Sequence, residues 1–284
     1  MDRAARAIEE SLLGIAWEIV PDSLGEGKEE LGRRLRRVEP GAPMGGIMVR
    51  SRFRLVCLSF LFLLVGGHLL HAGDVARFEV IGFSHDGRYL AYEEYGVHAG
   101  SGLPYATIAF VDVGRNAPAA PPIALAGDPE HATIAKARAL VRKRARATLE
   151  ALGIVAGEVG ERVICHPLTD LDADPHTVRF TPFPSPTPAA IYRLHLETRE
   201  VPGKCPDGGE GKAFTLTLET AAQGKRQILH EAKSIPEGGP CPTGYRIAAV
   251  VLYREWIVVF LARFLPGFEG KDVRYLVVTG RRDL

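Results

Sequence analysis

Three aspartates in one short segment are the clearest candidates for metal chemistry. Asp170, Asp172 and Asp174 alternate along the chain, with His166 and His176 nearby. Alternating carboxylates can converge on a hard cation such as Ca²⁺. The segment is not a helix–loop–helix calcium loop, because a proline and a threonine stand where that loop needs glycine and glutamate. Calcium is therefore the one cofactor that the sequence suggests, and the alternative is a solvated acidic loop.

Aromatic and acidic side chains on two neighbouring predicted strands form the candidate ligand groove. Its members are Tyr89, Tyr92, Tyr95, Tyr105, Glu93 and Glu94. The glycine-rich segment 96–102 lies between the two strands, and aromatics beside such a loop can line a groove. They are also ordinary sheet residues. Neighbouring strand residues point to opposite faces, so Glu93 and Glu94 cannot act together on one substrate, and the alternative for both is an edge or surface strand.

Motifs for nucleophilic or phosphate chemistry are missing from the sequence. It contains no Gly-x-Ser-x-Gly and no Ser-x-x-Lys, and His230-Glu231 lacks the second histidine of a zinc-protease helix. The glycine-rich run 208–212 does not have phosphate-loop spacing. The formal charge of +1 gives no argument for nucleic acid as a partner. We therefore predict no catalytic residue.

The four cysteines predict one disulfide bond. Cys57 lies in an apolar N-terminal run, whereas Cys205 and Cys241 both lie among prolines and glycines. Two strand-like runs, 213–220 and 226–234, separate this pair, so a bridge would tie the open end of a hairpin. Cys165 is left without a partner, and we expect it to be buried and inert, the alternative being a reactive thiol.

The elements that position these residues are mostly strands. Residues 76–112 alternate as consecutive antiparallel strands, and the Asp86-Gly87 pair predicts a hairpin turn. Further strands are predicted over 189–198, 245–255, 256–265 and 273–279, and residues 116–122 are predicted to be a loop. The fold class is therefore mainly β, with antiparallel sheets arranged as a sandwich or as an open propeller-like array.

One amphipathic helix is predicted, near 131–152. Its apolar stripe has spacings of three and four residues, with Asp128 or Thr133 as the cap and Gly153 as the end. The stripe consists of Ile134, Ala137, Val141, Ala145, Leu149 and Leu152, and the opposite face carries Lys136, Arg138, Arg142, Lys143, Arg144 and Arg146. That basic face could contact acidic lipid, and the alternative is a solvated face.

Residues 48–73 have the three parts of a secretory signal peptide. Arginines precede the apolar run 55–70, and the small residues Ala72 and Gly73 follow it. The run is short for a membrane span and contains two glycines and a histidine. We therefore expect a periplasmic or secreted protein, in which an uncleaved signal segment would be the only membrane contact.

The domain organisation is predicted from what flanks this segment. Residues 1–47 are either a mis-called N-terminal extension or a cytoplasmic tail. Residues 181–188 carry proline at alternate positions and indicate an extended linker. This linker separates a β-rich half with the helix, 74–180, from a β-rich half with the disulfide-tied hairpin, 189–284.

Two family resemblances concern the predicted strands. The hairpin at 83–91 (FSHDGRYLA) resembles the repeat of periplasmic Tol-system β-propellers, with His85 in place of the usual proline. A closed propeller needs several copies, and the chain has one. The wider stretch 74–280 resembles a family of bacterial predicted secreted proteins of unknown function. The matching segments are 81–84, 87–91, 93–96, 100–102, 266–270 and 275–279.

The second resemblance implies export and no assigned activity. Together with the missing catalytic motifs, it favours a non-catalytic exported protein that binds an envelope protein or a ligand. The alternative is a periplasmic hydrolase with a site built from distant residues. Two convergent carboxylates or a Ser–His pair in one pocket would favour the hydrolase.

Overall fold

A computed structural model describes the greater part of the chain after residue 72. The described residues are 73–126, 133–184, 190–201, 205, 211–220, 224–235, 241–267 and 270–282. They belong to one unit of the chain, Leu70–Leu284. The predicted N-terminal extension and almost all of the predicted signal peptide lie outside them. No helix in this described part is long and apolar enough to cross a membrane.

The described residues form twelve strands and one helix. In chain order these are β1 Arg77–Phe83, β2 Tyr89–Val97, β3 Pro104–Asp112, β4 Ala117–Ala126, α1 Ile134–Ala151, β5 Glu161–Cys165, β6 Thr177–Phe180, β7 Tyr192–Val201, β8 Gly211–Thr220, β9 Arg226–Glu231, β10 Gly244–Tyr253, β11 Trp256–Pro266 and β12 Lys271–Arg281.

The strands form three antiparallel sheets of four strands each. The first sheet has the order β1-β2-β3-β4, the central sheet β12-β11-β10-β5 and the outer sheet β6-β7-β8-β9. One apolar core joins the first sheet to the central sheet, and another joins the central sheet to the outer sheet. The prediction of a mainly β, antiparallel fold with one helix is therefore confirmed, and the sheets are stacked in layers.

The central sheet is apolar on both of its faces. Along β11, Val259 and Leu261 pack towards the outer sheet, whereas Val258 and Phe260 pack towards the first sheet. All four side chains are fully buried. This double burial explains why β10 and β11 read as nearly continuous apolar runs rather than as alternating strands.

Helix α1 covers the face of the first sheet that points away from the central sheet. Its Ala137, Val141 and Ala145 are buried against β2, β3 and β4. The Thr133 side chain accepts a hydrogen bond from the Lys136 N–H at 3.3 Å, which confirms the threonine as the cap. The helix starts at Ile134, the first residue of the apolar stripe and three residues after the predicted start, and the alternative cap, Asp128, lies outside the described residues.

The predicted loop over 116–122 is wrong, because β4 occupies Ala117–Ala126. This strand carries prolines 118, 121 and 122, and prolines in a segment are typical of a loop. It lies at the edge of the first sheet, where a missing backbone N–H does not interrupt a ladder. An edge position thus reconciles a proline-rich segment with a strand.

Strands from both sides of the proline-rich segment share sheets. β5 pairs with β10 in the central sheet, and β6 pairs with β7 in the outer sheet. Of the segment 181–188, only 181–184 are described. The division into halves 74–180 and 189–284 stays a prediction.

Candidate functional site

The structure does not bring the predicted groove residues into one groove. Tyr89 and Tyr95 pack towards α1, as their shared strand parity predicts. Tyr92 points to the central sheet, where its ring meets Phe260 edge-on at 5.5 Å. Tyr105 lies elsewhere, in a polar cluster at the edge of β12. The four tyrosines therefore lie in three different environments.

Glu93 is the buried centre of an ion cluster between the first sheet and α1. Its Oε2 accepts hydrogen bonds from Arg138 Nη2 at 2.8 Å and Arg142 Nη2 at 2.6 Å. Glu79 Oε2 accepts from Arg138 at 2.5 Å, and Glu79 Oε1 accepts from the Tyr95 hydroxyl at 2.8 Å. Burial opposes ionisation of Glu79, but the Tyr95 and Arg138 hydrogen bonds dominate and lower its pKa. We call Glu79, Glu93, Tyr95, Arg138 and Arg142 the helix ion cluster.

The expectation that Glu93 lies on an edge or surface strand is wrong. Strand β2 is interior to the first sheet, and Glu93 is fully buried because α1 covers that face. Two arginines from the predicted basic face are used here, so that face is only partly solvated. Glu94 points the opposite way, and its Oε1 accepts the backbone N–H of Tyr275. Burial raises the pKa of Glu94.

A second polar cluster fastens the start of the described chain to β12. Asp74 is buried and pairs with Arg274 Nη2 at 2.5 Å, and it accepts the Tyr105 hydroxyl at 2.9 Å. His98 Nδ1 lies 3.0 Å from Asp74 Oδ2, the oxygen that Arg274 also contacts. Burial raises the pKa of Tyr105. Because both carboxylate oxygens are occupied, this cluster has a structural role.

Two of the three alternating aspartates, Asp170 and Asp174, cap turns. Asp174 Oδ1 accepts the backbone N–H groups of His176 at 2.8 Å and Thr177 at 3.0 Å, and these hydrogen bonds lower the pKa of Asp174. Asp170 Oδ1 accepts the N–H of Ala173 at 3.2 Å. Within the described ranges, no group of three or more His, Cys, Asp or Glu side chains is placed to hold a metal ion. The structure therefore does not gather Asp170, Asp172 and Asp174 into a cluster.

The predicted disulfide between Cys205 and Cys241 is present, with the Cα atoms 5.6 Å apart. It spans 36 residues and encloses the β8–β9 hairpin. The expectation that Cys165 is buried is wrong, since this free cysteine is exposed. It ends β5, which is the edge strand of the central sheet.

A pocket of about 400 Å³ lies between the outer sheet and the central sheet, beside the disulfide-tied hairpin. We call it the hairpin pocket. Its lining is mainly apolar, from Ala213, Phe214, Ile235, Tyr245, Leu276 and Val278. The Phe214 ring contacts His230 at 4.6 Å on one side and Tyr245 at 4.7 Å on the other. Three rings thus form a continuous wall.

The hairpin pocket has few polar lining groups, and its two charged ones, Lys212 and Arg263, are both cations. Lys212, His230 and Arg263 line it, and neither aspartate nor glutamate does so among the described residues. Burial lowers the pKa of His230, which keeps its imidazole neutral at pH 7. The Nε of Arg263 is buried and has no hydrogen-bond partner. The pocket therefore carries positive charge that no lining carboxylate balances.

A smaller cavity of about 230 Å³ adjoins the hairpin pocket. Asn116, Leu276 and Val277 line both, and Tyr92 lines the smaller one. Asn116 has a positive φ of 51° and holds the β3–β4 turn against β12, since its Oδ1 accepts the Thr279 N–H at 2.8 Å. Of the predicted groove residues, only Tyr92 lines either cavity.

Sequence reasoning missed the residues of the hairpin pocket. One signal was available: Arg263 is the only charged residue of β11, in a strand whose other side chains are apolar. A charge within a strand that is buried on both faces is costly unless it is paired or hydrogen-bonded, so an isolated one indicates a candidate binding residue. Lys212, Phe214 and His230 carry no comparable signal, because they lie on a strand pair with ordinary alternation.

Comparison with known proteins identifies the family. A family model described as predicted secreted protein (DUF2259) matches residues 91–281. Comparison with curated proteins and with solved structures finds no match. The resemblance to Tol-system β-propellers is not confirmed. The description of the family confirms the predicted export. Because the match covers more than half of the sequence, the chain belongs to the family of predicted secreted proteins, DUF2259.

Proposed function

We propose that this exported protein is a non-catalytic binding protein that holds a small ligand in the hairpin pocket. The observation that carries this proposal is the pocket itself, with a volume of about 400 Å³ and a mainly apolar lining. Pockets for small molecules typically measure about 300–1,000 Å³ and combine apolar walls with a few placed polar groups. Lys212, His230 and Arg263 are such groups.

The construction of the pocket walls also supports binding. One wall is the β8–β9 hairpin, which the Cys205–Cys241 bridge encloses, and the other is the doubly buried central sheet. A pocket between two fixed walls loses little conformational freedom when a ligand enters. In an exported protein the bridge stays oxidised, so this wall is maintained where the protein works.

The hydrolase alternative has less support. His230 and Ser234 both line the hairpin pocket, but within the described part of the chain no hydrogen bond joins them. No lining carboxylate is placed to orient the imidazole, and His230 instead stacks on Phe214. A Ser–His nucleophile requires the serine, the base and an orienting group in hydrogen-bond reach. The geometry therefore favours binding over hydrolysis.

A pocket-filling variant tests the proposal. Ala232→Trp introduces an indole at a lining position, and Ala147→Trp places the same group on the exposed face of α1 as a matched control. We expect wild type and Ala147→Trp to bind decyl-chain probes in isothermal titration calorimetry, with Ala232→Trp at least tenfold weaker. Ser234→Trp replaces Ala232→Trp if the latter lacks a cooperative thermal transition. Equal binding by the filled variant, or none by wild type, would overturn the proposal.

A further inference from the structure

Arg263 is a charged pocket residue that forms no ion pair with a described residue. Its side chain lines the hairpin pocket, its Nε is buried, and no carboxylate of the described residues forms an ion pair with it. Its direct neighbours across the ladders are Tyr245 on β10 and Arg274 on β12. Neither residue can form an ion pair with Arg263, since Tyr245 stays protonated and Arg274 is itself a cation.

The other titratable groups near Arg263 leave its Nε without a hydrogen-bond partner. Lys212 adds a second positive charge to the same pocket, and His230 is neutral at pH 7. Glu94 attracts Arg263 electrostatically, but it does not line the hairpin pocket, and its Oε1 accepts the backbone N–H of Tyr275. Burying part of a cation without a partner is unfavourable. A bound anion would recover that cost.

We propose that the hairpin pocket binds a small amphipathic oxyanion, whose charged head pairs with Arg263 and whose apolar body lies on Phe214, Tyr245, Leu276 and Val278. This inference rests on the proposed function and specifies its ligand class. A guanidinium presents parallel N–H donors that match the two oxygens of a carboxylate or phosphate head. Lys212 supplies a second cation on the same lining.

The apolar lining limits how much of the ligand is charged. The Phe214 ring and the aliphatic side chains of β12 offer no hydrogen-bond partners for a sugar or a peptide backbone, and the Tyr245 hydroxyl already donates to the Lys212 carbonyl. A polar body would lose its hydration there without replacement. The pocket thus selects a molecule with one oxyanion end and an otherwise apolar surface.

Four probes with the same decyl chain test the ligand class in the purified protein at neutral pH. Decanoate and decyl phosphate carry the oxyanion, decanol is the neutral match, and decylammonium is the cation. We expect both oxyanions to bind about tenfold to a hundredfold more tightly than decanol, and decylammonium to bind more weakly than decanol. The ranking of decanoate against decyl phosphate distinguishes a carboxylate ligand from a phosphate ligand.

Arg263→Met tests the assigned residue, and Arg179→Met, at an exposed position on β6, is the matched control. We expect Arg263→Met to remove most of the preference for decanoate over decanol, with decanol binding unchanged, since only Lys212 then remains as a cation of the pocket. Raising the salt concentration should weaken decanoate binding to wild type more than to the variant. Arg263→Gln serves the same purpose if the methionine variant lacks a cooperative thermal transition.

The outcomes separate this inference from the proposed function. If decanol and decanoate bind equally, and Ala232→Trp blocks both, the pocket stands and the oxyanion class is wrong. A preference for decylammonium also overturns the class. If no decyl probe binds wild type, the proposed function fails together with the inference. If Arg263→Met keeps the oxyanion preference of wild type, Arg263 does not bind the head group.

Discussion

Two charged side chains in this protein, one buried and one partly buried, have opposite surroundings. Glu93, under α1, is fully enclosed, and one of its oxygens accepts hydrogen bonds from both Arg138 and Arg142. Arg263, beside the disulfide-tied hairpin, lines a pocket and has a buried Nε without a partner. Both lie on strands in apolar sheets, where an unpaired charge is costly.

The difference indicates what each charge does. In the helix ion cluster the charge of Glu93 is paired with two arginines through Oε2, although its Oε1 has no hydrogen-bond partner, so the cluster fixes α1 on the first sheet. Arg263 forms no ion pair with a described residue, and a charge of this kind in a pocket is a candidate for binding a ligand. The paired charge of Glu93 thus belongs to a structural site, and the unpaired charge of Arg263 to a candidate binding site.

The largest effect concerns the covalent wall of the hairpin pocket. Cys205→Ser together with Cys241→Ser should lower the free energy of unfolding by about 4 kcal/mol, because the bridge closes a loop of 36 residues. Urea denaturation with circular dichroism measures this loss. Cys165→Ser is the control and should leave stability unchanged, since that thiol is free and exposed. A loss below about 1 kcal/mol in the double variant would contradict the prediction.

The next effect breaks the helix ion cluster. Glu93→Gln should lower the free energy of unfolding by about 3 kcal/mol, because it leaves two guanidinium groups without their buried anion. Glu79→Gln is the matched control and should cost less than about 1 kcal/mol, since the Glu79 side chain is 45% exposed. Equal losses for the two variants would show that burial of the carboxylate does not determine its contribution.

A pair of arginine variants compares the two regions directly. Arg138→Met should destabilise the protein by about 2 kcal/mol, because a buried carboxylate loses donors. Arg263→Met should leave the stability of the ligand-free protein unchanged or raise it by about 1 kcal/mol, because a poorly solvated charge is replaced by an apolar side chain. Thermal and urea unfolding of both variants measure the contrast. A destabilised Arg263→Met protein would make Arg263 a structural residue.

The smallest effect is a pH dependence from the hairpin pocket. Burial lowers the folded-state pKa of His230 below the ordinary value of 6.5. The unfolded chain therefore binds a proton that the folded chain does not, so stability should fall as the pH drops from about 7 through 6.5 towards the folded-state pKa. His230→Gln should flatten this part of the stability curve. Coinciding curves for wild type and variant would contradict the prediction.

Local patterns predicted the architecture where each element depends on its own residues. The apolar stripe of α1, the Asp86-Gly87 turn and the Pro/Gly surroundings of Cys205 and Cys241 are such patterns, and the structure confirms them. The β4 prediction failed because prolines indicate a loop unless the strand is known to lie at an edge. Edge position is a property of the sheet and is not visible in the segment.

The candidate site could not be predicted in this way. Phe214 and His230 on the hairpin and Tyr245 and Arg263 on β10 and β11 meet only because the outer sheet stacks on the central sheet. The groove predicted from Tyr89, Tyr92, Tyr95 and Tyr105 fails for the complementary reason, since strand parity and the packing of α1 send these side chains apart. Stacking of sheets is set by contacts between distant segments, which no single stretch of sequence displays.

A crystal structure of the protein with 2-bromodecanoate tests the central claim most directly. The bromine atom lies beside the carboxylate, so its anomalous signal marks the position of the head group. We expect a single strong anomalous peak in the hairpin pocket, next to the Arg263 guanidinium, with the alkyl chain of the probe along Phe214 and Val278. A peak elsewhere on the molecule, or a hairpin pocket without bound probe at saturating concentration, would contradict it.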